Sequence, residues 1–323
     1  MNSYYNFLKQ LSWKTQHRFE SKSKFHKFYG TKHEKKPFLN QILKDKINSN
    51  EPFMLARFGG VELRAALNVY HLNNRNNVLL DSLSYLINQK TIFWELTNKN
   101  MEMIKNNAGF FPNDYHHISL FQEKLFEDAK LLDILGVLVG LEHQVPTIPD
   151  NIDFSYIRDL EPWWFNDPWT SSLKGKKVLV IYPLDELIKS QYVKRDLLFE
   201  DSNILPDFDL KVYKPVQSIA ENSTEFSTWF DALDKMRDDI SKIDFDVAII
   251  GAGAYGFSLA AEIKKMGKQS IQLGGITQWM FGIMGQRWMQ WDHYKKLTNE
   301  HWVYPREIDK PKGFEKIENG CYW

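Results

Sequence analysis

Short apolar runs alternate with longer amphipathic segments along most of the chain. Six apolar runs predict buried strands, at residues 53–58, 134–140, 177–182, 210–213, 246–250 and 270–273. Most of them are continuously apolar instead of alternating with polar residues, which is typical of strands that helices cover on both faces. The pattern therefore predicts a parallel sheet between two layers of helices.

Segments with a helical period fall between these runs. They span residues 61–70, 81–97, 119–132, 185–198, 227–243 and 255–266. Strands in alternation with helices predict an α/β fold, here a Rossmann-like, doubly wound and mostly parallel sheet. In such sheets ligands bind at the carboxyl ends of the strands, so we expect the functional site on the loops that follow the apolar runs.

The same pattern divides the chain into five parts. A helical extension (1–48) precedes an N-terminal α/β half (49–150), a crossing loop (151–176), a second Rossmann-like half (177–300) and a C-terminal tail (301–323). The crossing loop is rich in Pro and Trp and has little periodicity, so we interpret it as the boundary between the halves.

A glycine-rich turn joins the strand predicted at 246–250 to the next helix. Gly251, Gly253 and Gly256 have the spacing in which one glycine makes a tight turn, one admits a ligand and one packs helix on strand. Backbone amides and the positive end of the helix attract phosphate there, and Tyr255 lies within the motif. A turn that serves packing alone is the alternative.

The strand that follows ends without the acidic residue that would bind a nicotinamide or flavin ribose. The sequence therefore favours another phosphate-bearing ligand over a dinucleotide. Directly after this strand, Gly274 and Gly275 permit close approach of backbone to ligand, while Gln278 and Arg287 can donate hydrogen bonds. A hydrophobic loop that packs on the sheet is the alternative for this segment.

The first predicted strand also ends in a glycine turn. Arg57 stands at the strand's carboxyl end, Gly59 at the bend and Glu62 in the first helical turn. Arginine suits bidentate recognition of phosphate, whereas Glu62 alone would also be favourable as a charge at a helix N-terminus. His143 follows the run 134–140 and is a candidate general base, although a histidine there is also common as a structural residue.

Composition narrows the classes of function. The 323 residues include 43% hydrophobic and 25% charged residues with no net charge, which gives no reason to expect a nucleic-acid partner. We find no metal-binding spacing of Cys and His and no hydrolase or P-loop motif. Since no signal peptide and no long apolar stretch is evident, we expect a cytoplasmic protein.

Basic residues are concentrated at the start of the chain. Residues 1–36 hold nine Lys and Arg against two acids, with aromatic residues between them. Two interpretations stay open: a helical extension packed on its own domain, or peripheral contact with the anionic inner face of the membrane.

Two of these segments carry a family resemblance. The sequence ARFGGVEL at 56–63 and the sequence DVAIIGAGAYGFSLAAEIKKMGKQSIQLGG at 246–275 resemble parts of the bacterial GT-D fold glycosyltransferases, which are found among polysaccharide and glycoprotein assembly genes. In that family an Asp-x-Glu in the first turn handles metal and donor. Its positions are Gly60 and Glu62 here, so the aspartate is absent.

The resemblance implies a glycosyltransferase of surface polysaccharide or glycoconjugate biosynthesis, with a nucleotide-sugar donor and a glycan acceptor. We expect the donor diphosphate on the turn 251–256, beside Arg57 and Arg287, and Glu62 or His143 as the acceptor's base. Because Gly60 replaces the aspartate, dependence on Mn²⁺ or Mg²⁺ is not carried over. A non-catalytic nucleotide- or sugar-binding protein of an assembly complex stays open as the alternative.

Overall fold

The strands form one seven-stranded sheet in which every pairing is parallel. The computed structural model describes residues 2–19, 37–87, 89–219, 224–317 and 320–323, so half of the basic segment 1–36, residues 1 and 20–36, lies outside the described residues. The strands are β1 (Met54–Ala56), β2 (Ile134–Val137), β3 (Asp153–Tyr156), β4 (Lys177–Ile181), β5 (Asp209–Tyr213), β6 (Val247–Ile250) and β7 (Gln269–Gln272), in the order β3-β2-β1-β7-β6-β4-β5. The predicted α/β, Rossmann-like architecture is confirmed.

Helices precede, connect and follow these strands. They are α1 (Asn2–Phe19), α2 (Pro37–Ser49), α3 (Gly60–Asn73), α4 (Val78–Leu86), α5 (Asn98–Ala108), α6 (Tyr115–Ala129), α7 (Asp185–Tyr192), α8 (Trp229–Ile240), α9 (Tyr255–Lys265), α10 (Gln286–Met289) and α11 (Asp292–Lys295). A 3₁₀ segment, Gly274–Phe281, follows β7 directly. Among the described helices, none combines the length and the apolar character needed to cross a bilayer.

The inner strands β1, β2, β4 and β6 contribute to two cores because successive side chains point to opposite faces. Leu179 and Ile181 of β4 pack in one core with α3, α6, α8 and α9. Val178 and Val180 pack in the other with α2, α7 and the segment 279–302. Burial on both faces explains why these four strands are largely apolar in sequence.

The centre of the sheet joins the two halves of the chain. Leu55 of β1 pairs with Ile134 of β2 on one side and with Ile271 of β7 on the other. The carboxyl ends of β1, β7, β6 and β4 therefore lie side by side, although their turns are far apart in sequence. This arrangement brings the glycine turns at 59–60 and 251–256 to the same edge.

Two elements differ most from the pattern-based prediction, and the helix predicted at 185–198 also ends early, at Tyr192. The edge strand β3 lies in the segment interpreted as a crossing loop, and its residues from Asp153 onward alternate between polar and aromatic, so no apolar run marks it. The helix predicted at 81–97 ends at Leu86, and a separate helix, α5, follows. Thr97 begins α5 by accepting from the Asn100 amide at 3.2 Å, and Gly109 ends it in the left-handed region.

Candidate functional site

A cavity of about 550 Å³ opens at the carboxyl ends of the central strands. Its walls come from the turns after β1, β4, β6 and β7, from residues 215–219 after β5, and from the end of the chain. The position agrees with the rule that ligands bind outside the carboxyl edge of an open parallel sheet. A cavity of this volume accommodates a small-molecule ligand.

Most of the residues proposed from sequence line this one cavity. They are Arg57, Gly59, Glu62, Gly251, Gly253, Tyr255, Gly274, Gly275, Gln278 and Arg287. Gly256 and His143 are not part of its wall. The structure thus assembles the two proposed halves of the site, from the first turn and from the C-terminal turns.

The three glycines after β6 have different physical roles. A β-carbon at Gly251 would lie 2.5 Å from the Gly274 carbonyl oxygen and 2.6 Å from the ring of Tyr182, so only glycine fits. Gly253 has φ +52°, in the left-handed region that favours glycine. At Gly256 a β-carbon would come within 3.1 Å of the Gln272 side chain, which shows that this glycine lets α9 pack closely on β7.

Backbone amides of the turn are only partly available to a ligand. Three at the start of α9 already have acceptors: Ala254 donates to Ala108, Tyr255 to Ala252, and Gly256 to Gly253, at 3.1–3.3 Å. Among the described residues, no acceptor contacts the amides of Ala252 and Gly253, and both residues line the cavity. The number of amides offered to an anion is therefore smaller than the motif alone suggests.

Arg57 is held at the cavity wall by contacts with β7. Its backbone amide donates to Oε1 of Gln272 at 2.7 Å, and its Nε donates to the Leu273 carbonyl at 3.3 Å. Gly274, with φ +74°, leaves the space for the guanidinium, because a β-carbon there would overlap Nη2 of Arg57. Burial lowers the pKa of Arg57, while the neighbouring Tyr322 and Glu62 oppose this effect.

Glu62 lies in the first turn of α3 with its carboxylate folded back over Gly59. A β-carbon at Gly59 would overlap this carboxylate, so the bend and the acid depend on each other. Burial raises the pKa of Glu62, and hydrogen bonds from the amides of Glu62 and Val61, together with the charge of Arg57, counteract that rise. The carboxyl is thus both a helix N-terminal charge and a proton acceptor with an elevated pKa.

Arg287 approaches the same cavity from the other side. Its Nη1 donates to the hydroxyl of Tyr322 at 2.8 Å, and its guanidinium carbon lies 4.7 Å from the centre of the Tyr322 ring. Tyr322 in turn covers Gly275, where a β-carbon would overlap the ring. Arg57 and Arg287 interact electrostatically across the site, which concentrates positive charge on the cavity.

Gln278 is occupied by the protein itself. Its Oε1 accepts from the hydroxyl of Tyr182 at 2.7 Å, and its Nε2 donates to the carbonyls of Met284 and Tyr322, both at 3.1 Å. The side chain is buried and ties the loop after β7 to the end of the chain. Gln278 therefore shapes the cavity wall, and its donors are already used.

Tyr255 is likewise packed into the wall. Its ring stacks on Trp229 with the centroids 5.1 Å apart and the planes 4° from parallel, and its hydroxyl lies 3.3 Å from that of Ser218. His143 belongs to a 3₁₀ turn, Glu142–Gln144, outside the cavity. Of the two proposed bases, only Glu62 reaches the site.

Sequence reasoning missed Tyr182, Gln272 and Tyr322. Gln272 and Tyr182 are at or just beyond strand ends, which was an available signal, but Tyr322 belongs to a tail without any pattern. Among the described lining residues, Asp309 has the acidic side chain besides that of Glu62. A hydrogen bond with Arg306 lowers the pKa of Asp309. The two acids of the cavity therefore have pKa values shifted in opposite directions.

No group of three or more His, Cys, Asp or Glu residues that could bind a metal ion occurs within the described part of the chain. Comparison of the sequence with models of known protein families found no match. Comparisons with curated proteins and with solved structures likewise found none.

Proposed function

We propose that the chain is a glycosyltransferase-like enzyme that binds a nucleotide-sugar donor in the cavity at the carboxyl edge of the sheet. The observation that carries this proposal is the convergence of Arg57 and Arg287 with the amides of Ala252 and Gly253 on one cavity. Guanidinium groups and unpaired amides are the donors that proteins use for phosphate oxygens. The resemblance of residues 56–63 and 246–275 to the GT-D fold enzymes supports the same ligand class.

In the proposed reaction, the acceptor hydroxyl oxygen attacks the anomeric carbon of the donor sugar. A carbon–oxygen bond to the acceptor forms as the bond to the diphosphate breaks. The hydroxyl proton passes to Glu62, whose raised pKa suits a general base. Arg57 and Arg287 stabilise the negative charge that develops on the departing nucleoside diphosphate.

Positive charge in this scheme comes from the chain's own side chains. Among the described residues, three arginines line the cavity, Arg57, Arg64 and Arg287, against two acidic side chains, Glu62 and Asp309. Because Asp309 already bonds to Arg306 and Gly60 stands where the GT-D fold enzymes have aspartate, the proposed transfer relies on the arginines to neutralise the leaving group.

One observation favours a second candidate, a nucleotide- or sugar-binding protein without catalysis. The Glu62 carboxylate is bonded to the amides at the start of α3, where it has a structural role independent of any reaction. An acid that only stabilises a helix would leave the cavity able to bind a donor and unable to deprotonate an acceptor.

Calorimetric titration of the purified protein with UDP-, GDP- and CMP-sugars, each with and without Mn²⁺, distinguishes these candidates. Slow hydrolysis of a bound donor to free sugar and nucleotide, measured by chromatography, supports the proposal of an enzyme. Binding without any hydrolysis or transfer supports the binding protein. No binding of any nucleotide sugar contradicts both.

A further inference from the structure

Helix α4 is oriented with its polar residues inward and its leucines outward. Its buried residues are Asp81 and Ser82, each about 4% exposed, whereas Leu79 is 69%, Leu80 62% and Leu83 52% exposed. A helix on the surface of a globular protein normally turns its apolar stripe towards the core. The reversed orientation leaves a row of large apolar side chains facing outward.

Polar contacts fix this orientation. Asp81 forms an ion pair of 2.5 Å with Lys90, and both side chains are nearly inaccessible. Its other oxygen accepts from the Asn76 amide at 3.2 Å. Rotating α4 to bury its leucines would break the ion pair between Asp81 and Lys90 and the hydrogen bond from the Asn76 amide. Loss of a buried ion pair is strongly unfavourable. The exposed leucines are therefore built into the fold.

Helix α1 extends the apolar surface. The hydroxyl of Tyr4 lies 2.9 Å from Oγ of Ser82, which joins α1 to α4, while Leu8 is buried. Phe7, 59% exposed, and Tyr4, 44% exposed, remain outside. We call the combined surface the α1–α4 patch; it consists of Tyr4, Phe7, Val78, Leu79, Leu80, Leu83 and Ile87. Leu79, Leu80 and Leu83 share one face of α4 by their i, i+3 and i, i+4 spacing, and exposed apolar surface of this kind marks a site that another apolar phase covers.

Charge indicates what covers it. Helix α1 contains Lys9, Lys14 and Arg18 and has no Asp or Glu, although Lys9 forms an ion pair of 3.1 Å with Glu95. The whole segment 1–36 has nine basic residues against two acids. Pairing two copies through this patch would bring two basic helices together, which like-charge repulsion opposes. An anionic lipid surface offers both an apolar layer and the complementary charge.

We propose that the α1–α4 patch inserts into the interfacial layer of an anionic phospholipid bilayer and that the net positive charge of the segment 1–36 adds electrostatic attraction to that surface. Because an interfacial helix lies in the plane of the membrane and does not cross it, the nine residues of α4 are long enough for this contact. The inference is independent of the proposed reaction, since it concerns a surface that shares none of its residues with the cavity wall.

Co-sedimentation of the full chain with vesicles tests this proposal. We expect binding to phosphatidylcholine vesicles that contain about one-third phosphatidylglycerol, weak binding to phosphatidylcholine alone, and loss of binding as salt rises from about 0.1 M to about 0.5 M. The triple variant Leu79→Ser/Leu80→Ser/Leu83→Ser should bind the anionic vesicles at least about tenfold more weakly.

The matched control is Val193→Ser/Ile308→Ser, because Val193 is 80% and Ile308 84% exposed and neither belongs to the patch. The control should bind vesicles as the parent protein does. Thermal denaturation should show both variants folded, since every replaced side chain is exposed. Equal vesicle binding by the triple variant and the control would overturn the proposal. Failure of the parent protein to bind anionic vesicles would also overturn the proposal. In that case, a dimeric parent protein and a monomeric triple variant in light scattering would show that the patch joins two copies of the chain.

Discussion

The substitution Gly274→Ala separates the role of Arg57 from general stability. Gly274 has φ +74°, and a β-carbon there would overlap the Arg57 guanidinium, which is the end of a flexible side chain. We expect the guanidinium to move away and its bond to the Leu273 carbonyl to be lost. The left-handed backbone adds about 1–2 kcal/mol of strain, which lowers the free energy of unfolding by a similar amount.

The effect on ligand binding should be larger than this strain suggests. A hydrogen bond from a charged donor contributes about 1.5–3 kcal/mol. At about 1.4 kcal/mol for each factor of ten, loss of the Arg57 contact should weaken nucleoside diphosphate binding by about 10-fold to about 150-fold. Calorimetry measures the affinity, and urea denaturation measures the stability of the same preparation.

The matched control is Gly267→Ala. Gly267 has φ +76°, and no atom lies within 4 Å of a β-carbon built there. This variant should lose the same stability and bind nucleotide as the parent protein does. Equal affinities for Gly274→Ala and Gly267→Ala would refute the assignment of Arg57 to the phosphate site.

Three further predictions concern single side chains. Glu62→Gln should keep nucleotide affinity and abolish donor hydrolysis and transfer. Because burial raises the pKa of Glu62, the native protein binds this proton more tightly than the unfolded chain does, and the free energy of unfolding falls as pH rises through the raised pKa. Urea denaturation at several pH values should show a smaller fall for the variant. Burial lowers the pKa of His71 from 6.5 to about 4, so stability should be lost as pH falls between these values, and His71→Gln should flatten that loss in denaturation curves measured from about pH 7 to about pH 4. Tyr322→Phe removes the 2.8 Å hydrogen bond from Arg287 and should lower the free energy of unfolding by about 1 kcal/mol. In calorimetry its loss of nucleotide affinity should be smaller than that of Arg287→Met, and an equal loss in both variants would show that the hydroxyl itself binds the ligand.

The sheet was predictable because most of its strands are buried on both faces. Strands such as β4 and β6 are continuously apolar in sequence, and the turn at Gly251 follows directly. The edge strand β3 was not predictable in this way, since its alternation of Asp153, Phe154, Ser155 and Tyr156 is too short to distinguish from loop.

The candidate site was predictable only in part. Arg57 and the glycines are marked by local spacing, whereas Gln272 supports Arg57 from 215 residues further along the chain. Gln278 illustrates the converse: its position after a glycine pair suggested a ligand contact, but long-range packing gives its donors to the carbonyls of Met284 and Tyr322. Sequence spacing identifies groups that can donate, and tertiary packing decides which of them remain available.

A crystal structure of the protein with the nucleoside diphosphate that binds most tightly in calorimetry tests the proposed phosphate site. We expect phosphate oxygens within about 3.2 Å of the amides of Ala252 and Gly253 and of the guanidinium groups of Arg57 and Arg287. A diphosphate bound elsewhere on the molecule, or in this cavity without contact to either arginine, would contradict the proposal.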